Sequence, residues 1–316
     1  MRRLIFLSAV LLLTGCISID LTRPVRPLRE KTVEGTGLDK ILLLDLSGVI
    51  AEEEFSPLRG RPEVSLVARV KEELKKASED DAVKAVVVRI NSPGGTATAS
   101  DILYRELTAF KAKRKVKIVS AIMDVGASGG YYVALAGDKI VAHPTSVTGS
   151  IGVIMVTVSV EGLLQKIGVA PTAIKSGERK DMGSPFRGLT EEERRIFQGV
   201  IDQLHERFVE VIAKERKGLS VDAVRRLADG RIYTAPEAKQ LGLVDEVVYL
   251  DDAVALARKE AKLESAQVIM YHRPREYRSN IYSTLASAPE PPGGPLLSLP
   301  SLLLGAGPRF LYLWWP

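Results

Sequence analysis

Ser128 stands among small residues, at the point where an apolar strand pattern gives way to a helix pattern. Gly126 and Ala127 precede it, and Gly129 and Gly130 follow it. Small neighbours allow the backbone to turn sharply and allow a carbonyl group to approach a serine hydroxyl closely. A serine on a strand-to-helix turn is typical of a nucleophile. The alternative is a glycine-rich packing turn whose serine has no chemical role.

A second glycine turn, NSPGG at residues 91–95, ends another predicted strand. Pro93 fixes one backbone φ angle, whereas Gly94 and Gly95 leave the next two free. Two backbone N–H groups at such a turn could hold an oxyanion, and one such donor is worth ~3 kcal/mol of barrier. A plain strand-to-helix turn also favours Pro-Gly-Gly. The motif is therefore informative mainly in combination with the Ser128 turn.

A serine nucleophile needs a general base. The three histidines are His143, His205 and His272. None lies in a predicted loop of the kind that presents a base, so we expect each to be structural. A lysine can serve instead when its ammonium group is desolvated, because burial disfavours the charged form. Lys175 and Lys180, in the loop IKSGERKDMGSP, are the lysine candidates.

The elements that must position these turns follow an α/β pattern. Continuous apolar runs predict strands at 40–50, 83–90, 116–123 and 139–143. Helix patterns lie between the strands, at 67–77 and 99–111. Strand–helix–strand repetition implies right-handed crossovers and a layered α/β fold. A long amphipathic helix is predicted over 189–218, with a capping box at Thr190 and Glu193 and with Gly218 at its end.

The composition of the 316 residues is that of a globular protein. The net charge of +5 is not gathered in a basic block, so nucleic-acid binding has little support. The sequence contains no cluster of metal ligands and no nucleotide motif, and we expect neither a metal nor a cofactor.

The first 15 residues resemble an export signal. Arg2 and Arg3 are followed by an apolar run from Leu4 to Leu13, which is too short to span a bilayer. Leu-Thr-Gly then precedes Cys16 and resembles the lipobox of bacterial lipoproteins, which implies that Cys16 is lipidated and anchors the chain to a membrane. The alternative is a plain signal peptide. Cys16 is the only cysteine, so an intrachain disulfide is excluded.

We divide the chain into a signal peptide (1–15), a tether (16–38), one folded domain (39–272) and a proline-rich apolar tail (273–316). Seven of the 17 prolines fall within 288–316 and exclude a membrane-spanning helix there. The tail ends in an aromatic cluster from Phe310 to Trp315. This cluster indicates an interface with lipid headgroups or with a groove on a partner subunit, and the alternative is a disordered tail.

Five segments resemble the bacterial signal peptide peptidase A family, in order and at matching spacing. They are NSPGG, GASGGYYVALAGDKI, TGSIGV (148–153), IKSGERKDMGSP and DGRIYTAPEAKQLGLVDEV (229–247). Members are Ser-Lys peptidases with a crotonase/Clp-protease-like layered α/β fold. The resemblance covers roughly residues 40–270 and is close to the short, single-domain form. That form usually has a transmembrane anchor, and the lipobox and the apolar tail depart from this pattern.

The resemblance implies a role for each matched residue. Ser128 would be the nucleophile and Lys180, 52 residues later, the general base, with Lys175 as the lesser candidate. Ser150 would orient the lysine ammonium group. The implied oxyanion donors are the backbone N–H groups of Gly94 and Gly95, with Gly129 as a further candidate.

The implied function is that of a membrane-anchored serine endopeptidase on the extracytoplasmic (periplasmic) side, which cleaves remnant signal peptides and similar apolar peptides. In the short form, the serine and lysine of one site come from adjacent subunits of a ring. We therefore expect a homo-oligomer with its sites at subunit interfaces. Two alternatives are a crotonase-type acyl-CoA enzyme, which would be cytosolic, and a non-catalytic lipoprotein scaffold, which would tolerate Ser128→Ala.

Overall fold

The computed structural model of the chain describes residues 27–52, 65–273, 281 and 310–314. Cys16 and the predicted signal peptide lie outside the described residues. The strands are β1 (Arg29–Gly35), β2 (Lys40–Ser47), β3 (Val83–Ser92), β4 (Gly94–Thr96), β5 (Lys117–Ala127), β6 (Lys139–Ala142), β7 (Val147–Gly149), β8 (Ile232–Thr234), β9 (Glu246–Val247), β10 (Gln267–His272) and β11 (Leu311–Leu313). The helices are α1 (Leu66–Ser78), α2 (Ala97–Arg114), α3 (Gly129–Ala134), α4 (Glu161–Lys166), α5 (Glu191–Glu215), α6 (Val221–Leu227), α7 (Ala235–Gln240) and α8 (Leu250–Glu260).

A sheet of nine strands forms the centre of the described part of the chain. Its order is β1-β10-β2-β3-β5-β6-β9, with β7 paired to the end of β5 and β8 paired to β7. The pairs from β10 to β9, and the β5–β7 pair, are parallel, whereas β1–β10 and β7–β8 are antiparallel. Parallel neighbours need crossovers, which α1 and α2 provide between β2, β3 and β5. The predicted layered α/β fold with βαβ units is confirmed.

Helices cover both faces of the sheet, which explains the continuous apolar runs of the strands. On β2, Leu42 and Leu44 pack in the same cluster as residues of α1, α2 and α5, whereas Ile41 and Leu43 pack in the cluster that contains α8. A parallel strand between two such layers has no solvent-facing side and so shows no polar alternation.

The long predicted helix is α5, and it begins with the predicted capping box. It ends at Glu215, so the prediction that Gly218 ends it was wrong. The next residue, Arg216, leaves the helical conformation with φ −98° and ψ 73°. Its guanidinium group lies 2.8 Å from the carboxylate of Asp245, in the loop before β9. The residue that caps the end of this helix is thus also the residue that pairs with a distant segment.

Both ends of the chain contribute strands. β1 lies in the segment predicted as a tether and pairs antiparallel with β10. β11 lies in the predicted tail and pairs antiparallel with β4. Tyr312, at the centre of β11, is 1% exposed. The described part of the aromatic cluster therefore packs into the chain's own fold.

A charge pair is buried between the neighbouring strands β2 and β3. Asp45 and Arg89 are opposite each other in the sheet register. Their side chains are 2% and 3% exposed, and the guanidinium nitrogen lies 2.7 Å from the carboxylate oxygen. Breaking such a buried pair by removing one partner is strongly destabilising.

We predict that Asp45→Ala lowers the free energy of unfolding by about 3–5 kcal/mol, because it breaks the buried ion pair with Arg89. The matched control is Asp81→Ala, which removes the exposed carboxylate beside Arg114 and should cost about 1 kcal/mol or less. Urea unfolding followed by circular dichroism measures both losses. Equal and small losses would contradict a structural role for the buried pair.

Candidate active site

Ser128 lies at the carboxyl end of β5, at the turn that leads into α3. Its backbone has φ 51° and ψ −115°, a conformation that non-glycine residues rarely adopt. The Ser128 N–H donates to the Gly149 carbonyl at 2.8 Å, and the Ser128 carbonyl accepts from Tyr132 at 2.9 Å. A strained strand-to-helix turn of this kind is the geometry that presents a nucleophile.

Close packing explains the small residues after Ser128. A Cβ atom at Gly129 would lie 2.3 Å from the hydroxyl oxygen of Ser100 on α2. A Cβ atom at Gly130 would lie 2.7 Å from the carbonyl oxygen of Ser92 on β3. Real Cβ atoms do not approach other atoms this closely. The glycines therefore let β3, α2 and the Ser128 turn come together.

The NSPGG turn lies against the Ser128 turn. Gly94 has a φ of +100°, and a Cβ atom there would lie 2.7 Å from the Gly129 nitrogen. The Gly94 N–H donates to the Ser92 hydroxyl at 3.1 Å. The structure thus brings the predicted oxyanion residues Gly94, Gly95 and Gly129 to one place beside Ser128. Because the Gly94 N–H is engaged, the N–H groups of Gly95 and Gly129 are the better donors for an oxyanion.

Ser150 reaches the same edge of the sheet by way of β7. The end of β7 pairs with the end of β5, so that Gly149 lies beside Ala127. Ser150 follows with φ 48°, and its N–H donates to the Arg231 carbonyl at 2.7 Å. Since the preceding residue binds Ser128, the predicted supporting serine lies next to the Ser128 turn.

The Ser128 hydroxyl is buried and has no hydrogen-bond partner in the part of the chain that the structure describes. The ammonium group of Lys180 therefore does not lie within hydrogen-bond distance of it in a single chain. Lys180 is exposed, in the segment between α4 and α5. The structure brings the two serines and the three glycines together, but it leaves the predicted base apart from them.

The two lysines of this segment differ in their contacts. The Lys175 ammonium nitrogen lies 2.7 Å from an Asp181 carboxylate oxygen and 2.8 Å from the Glu178 carbonyl oxygen. Hydrogen bonds from Arg187 and Lys175 hold the pKa of Asp181 well below its ordinary value. The Lys175 ammonium group is thus engaged by two acceptors of its own loop. The Lys180 ammonium group has no ion pair among the described residues, which favours Lys180 over Lys175.

Comparisons with known proteins bear on this arrangement. A sequence profile of peptidase family S49 matches residues 110–264, which include Ser128, Ser150 and Lys180. A protein of Enterococcus faecium, named as a signal peptide peptidase SppA, is 41% identical over 242 residues, which are 77% of this chain and 70% of that protein. This chain belongs to the signal peptide peptidase A family. It is therefore a serine-type peptidase by family.

Other members of the signal peptide peptidase A family are longer. The chloroplast serine protease SPPA of Arabidopsis thaliana is 31% identical over 256 residues, which are 80% of this chain and 37% of that protein. Protease 4 of Salmonella typhi is 36% identical over 199 residues, which are 63% of this chain and 32% of that protein. The chain thus spans about a third of these two relatives. A solved structure of a ClpP1 mutant from Listeria monocytogenes matches 67% of this chain and 94% of its own, with 19% identity and a TM-score of 0.44.

The histidines have the local roles expected of structural residues. Each ring has a nitrogen within hydrogen-bond distance of a neighbouring group: His143 with Thr145 at 2.9 Å, His205 with Ala228 at 2.9 Å, and His272 with Arg273 at 3.0 Å. None of them is a partner of the Ser128 hydroxyl.

Two further observations concern metals and membranes. In residues 27–52, 65–273, 281 and 310–314, no group of at least three His, Cys, Asp or Glu side chains is arranged to hold a metal ion. Within those same ranges, no helix has the length and apolar character needed to cross a bilayer.

Sequence reasoning missed two serines that support the glycine turns. The Ser92 hydroxyl accepts from Gly94 and donates to the Gly48 carbonyl at 2.6 Å. The Ser100 hydroxyl donates to the Thr96 carbonyl at 2.9 Å and faces Gly129. Ser92 was visible inside the NSPGG motif. Ser100 gives no local signal, because its contact depends on how α2 packs.

Arg187 ties the segment that carries Lys180 to the start of α5. Its guanidinium group lies 3.0 Å from Asp181 and also pairs with Glu193, the capping-box residue of α5. The hydrogen bond from Arg187 lowers the pKa of Glu193 to about 2. The position of the Lys180 segment therefore depends on ion pairs at the beginning of a long helix.

We predict that acid releases this segment. The pKa of Glu193 is about 2 in the folded chain against an ordinary 4.5, so its stabilising contribution is complete above pH 4.5 and is lost as the pH falls towards 2. Arg187→Gln should lower the thermal unfolding midpoint at neutral pH and should have a smaller effect near pH 2, because most of the Glu193 contribution is then lost whereas Asp181, whose pKa is also lowered, still pairs with Arg187.

The matched control is Arg179→Gln, which removes an exposed pair with Glu192. We expect the control to change the midpoint little at either pH, because exposed ion pairs contribute little. An Arg187→Gln effect of the same size at both pH values would exclude a titrating carboxylate as its cause.

Proposed function

We propose that this chain is a membrane-anchored serine endopeptidase that cleaves remnant signal peptides and similar apolar peptides. One observation carries the proposal. The Ser128 hydroxyl is buried on a strained turn without a partner among the described residues, and the glycines of a second turn lie beside it.

The proposed reaction is acyl transfer. The Ser128 oxygen attacks a peptide carbonyl carbon while a neutral Lys180 takes the hydroxyl proton. The N–H groups of Gly95 and Gly129 stabilise the oxyanion. The C–N bond breaks, Lys180 returns the proton to the leaving amine, and water then hydrolyses the serine ester. Ser150 orients the lysine ammonium group.

A neighbouring copy of the chain supplies Lys180 in this proposal. Two features support this assignment. The Ser128 hydroxyl has no partner within the described part of one chain, and the segment that leads to Lys180 exposes large apolar side chains. These include Val156, Leu163, Ile167, Val169 and Ile174. Subunit interfaces bury exposed apolar surface of this kind. The protein would then be a homo-oligomer whose sites form between subunits.

Membrane attachment is proposed through Cys16. Its support is the order of the first residues: two arginines, an apolar run, then Leu-Thr-Gly-Cys. The lipid would bury methylene groups in the bilayer at ~0.8 kcal/mol each. The catalytic domain would lie on the extracytoplasmic side, where released signal peptides are found.

We predict that a serine-reactive acylating probe modifies Ser128, as located by mass spectrometry of the labelled peptide. Ser128→Ala should abolish labelling and lower peptide hydrolysis by a factor on the order of 10⁶. Ser120→Ala is the matched control, because the Ser120 hydroxyl is also buried on β5 and also has no partner among the described residues. The control should label and turn over as the parent does. Labelling that survives Ser128→Ala would refute the assignment.

We predict that Lys180→Ala lowers turnover about 10²- to 10⁴-fold, because the general base is lost. Lys175→Ala, in the same loop, should retain most of the activity. Mixing the inactive Ser128→Ala and Lys180→Ala chains should restore part of the activity if each site takes its serine from one copy and its lysine from another. Mixed oligomers that stay inactive would argue against a shared site.

A further inference from the structure

A concave basic pocket lies at the end of the sheet opposite Ser128. It is formed where β3 and β5 begin and where α2 and α8 end. Its volume is about 610 Å³, which is in the range of sites that hold small molecules. The strand β5 runs from the pocket to Ser128, and its 11 residues, at about 3.3 Å each, separate the two places by roughly 35 Å.

The lining of this pocket carries an excess of positive charge. Its two acidic side chains are Asp81 and Glu260. Its five basic side chains are Lys84, Arg114, Lys115, Lys117 and Lys262. Five positive charges against two negative charges leave a net charge of +3 at neutral pH. A concave surface with charge of one sign concentrates ions of the opposite sign.

Ion pairs within the chain neutralise only part of this excess. Arg114 lies 2.8 Å from Asp81, and Lys117 lies 3.6 Å from Asp138, directly before β6. The other three basic side chains of the pocket are exposed and have no ion pair in the part of the chain that the structure describes. They are Lys84, Lys115 and Lys262. Three ammonium groups therefore remain for an anion from outside the chain.

Helix dipoles explain only part of this arrangement. Basic side chains near a helix C-terminus offset its partial negative charge, and Arg114, in the last turn of α2, fits that role. Lys84 and Lys117 lie on strands instead. Lys115 and Lys262 have positive φ angles of 54° and 57°, a conformation that favours glycine. Because glycine would make both turns with less strain, the lysines there indicate a use for their charge.

We propose that this pocket binds a polyanion that presents at least two phosphate groups. A single carboxylate would balance only one of the three excess positive charges. Lysine ammonium groups form strong charge-assisted hydrogen bonds with phosphate oxygens. The Arg114 guanidinium group donates to Asp81 at 2.8 Å and to the Asp80 carbonyl at 3.1 Å, which fixes a further positive charge in the wall of the pocket.

The ligand chemistry has two sources, because soluble compounds and the headgroups of an anionic bilayer both carry phosphate groups. Pyrophosphate is a probe of the first source, and vesicles of phosphatidylglycerol are a probe of the second. The pocket is separate from Ser128, so neither probe depends on the proposed peptidase function.

The first test is calorimetric titration of pyrophosphate into the full chain at low ionic strength, where charge interactions are least screened. The pocket variant carries Lys84→Gln, Lys115→Gln and Lys262→Gln. We expect saturable binding to the parent, and binding about tenfold weaker or more to the pocket variant, because three positive charges are lost. A second variant, Lys115→Gly with Lys262→Gly, removes two charges where the φ angles favour glycine. It should therefore fold and should also bind more weakly than the parent.

The matched control removes three exposed lysines outside the pocket. It carries Lys31→Gln, Lys217→Gln and Lys239→Gln. We expect this control to bind pyrophosphate as the parent does. Equal weakening in the control and in the pocket variant would show that only the total charge matters, and it would overturn the proposed site.

The second test identifies the source of the phosphate groups. The full chain is sedimented with vesicles of phosphatidylglycerol and, separately, of phosphatidylcholine. Apolar segments are the same in the parent and in the pocket variant, so the difference between the two chains reports the pocket alone. Pyrophosphate binding that the pocket variant loses assigns a soluble compound. Sedimentation with phosphatidylglycerol that the pocket variant loses, without pyrophosphate binding, assigns a lipid headgroup. If neither probe distinguishes the parent from the pocket variant, the proposal is overturned.

Discussion

The hydrogen bond from the Ser128 N–H to the Gly149 carbonyl holds the turn on which the site depends. It joins the end of β5 to β7 and leaves Ser128 at φ 51°, a conformation that costs about 1–3 kcal/mol for a residue with a side chain. Strand pairing offsets this conformational cost, because β5 pairs with β3 along one edge and with β6 and β7 along the other. The serine is therefore positioned by paired strands and not by a bond of its own hydroxyl. That hydroxyl is left available for chemistry.

The sequence was sufficient to predict those elements whose signals lie within a short stretch of the chain. The strands were predictable because helices on both faces leave no polar alternation, and the capping box of α5 was predictable because its two residues lie within one turn. Three features were not predictable, since each depends on a distant partner. At the end of α5, Arg216 pairs with the distant Asp245, and the need for glycine at 129 is set by Ser100. β1 has the charged sequence REKTVEG and forms an exposed edge strand. Its sequence alone resembles a tether, and only the pairing with β10 makes it a strand.

For the site, the sequence predicted candidate residues at one edge of the sheet, but it could not say which of them meet in one chain. Ser128, Ser150 and the glycines converge because they follow strands that pair directly with one another. Lys180 lies instead in an exposed segment, which the ion pairs of Arg187 connect to the start of α5. A base carried on such a segment has little reason to be desolvated in a lone chain. Burial of that segment against another subunit would complete the proposed site, so the proposed activity would depend on assembly.

The strand β11 completes the backbone edges that flank the glycine turns. Without it, β4 and Ile154 would lack the antiparallel hydrogen bonds that they now make with Leu311–Leu313. The Tyr312 ring also packs against the rings of Tyr132 and Phe208. Unpaired edges next to apolar surface promote association with other chains, so the packing of β11 against them stabilises the part of the fold that carries the Ser128 turn.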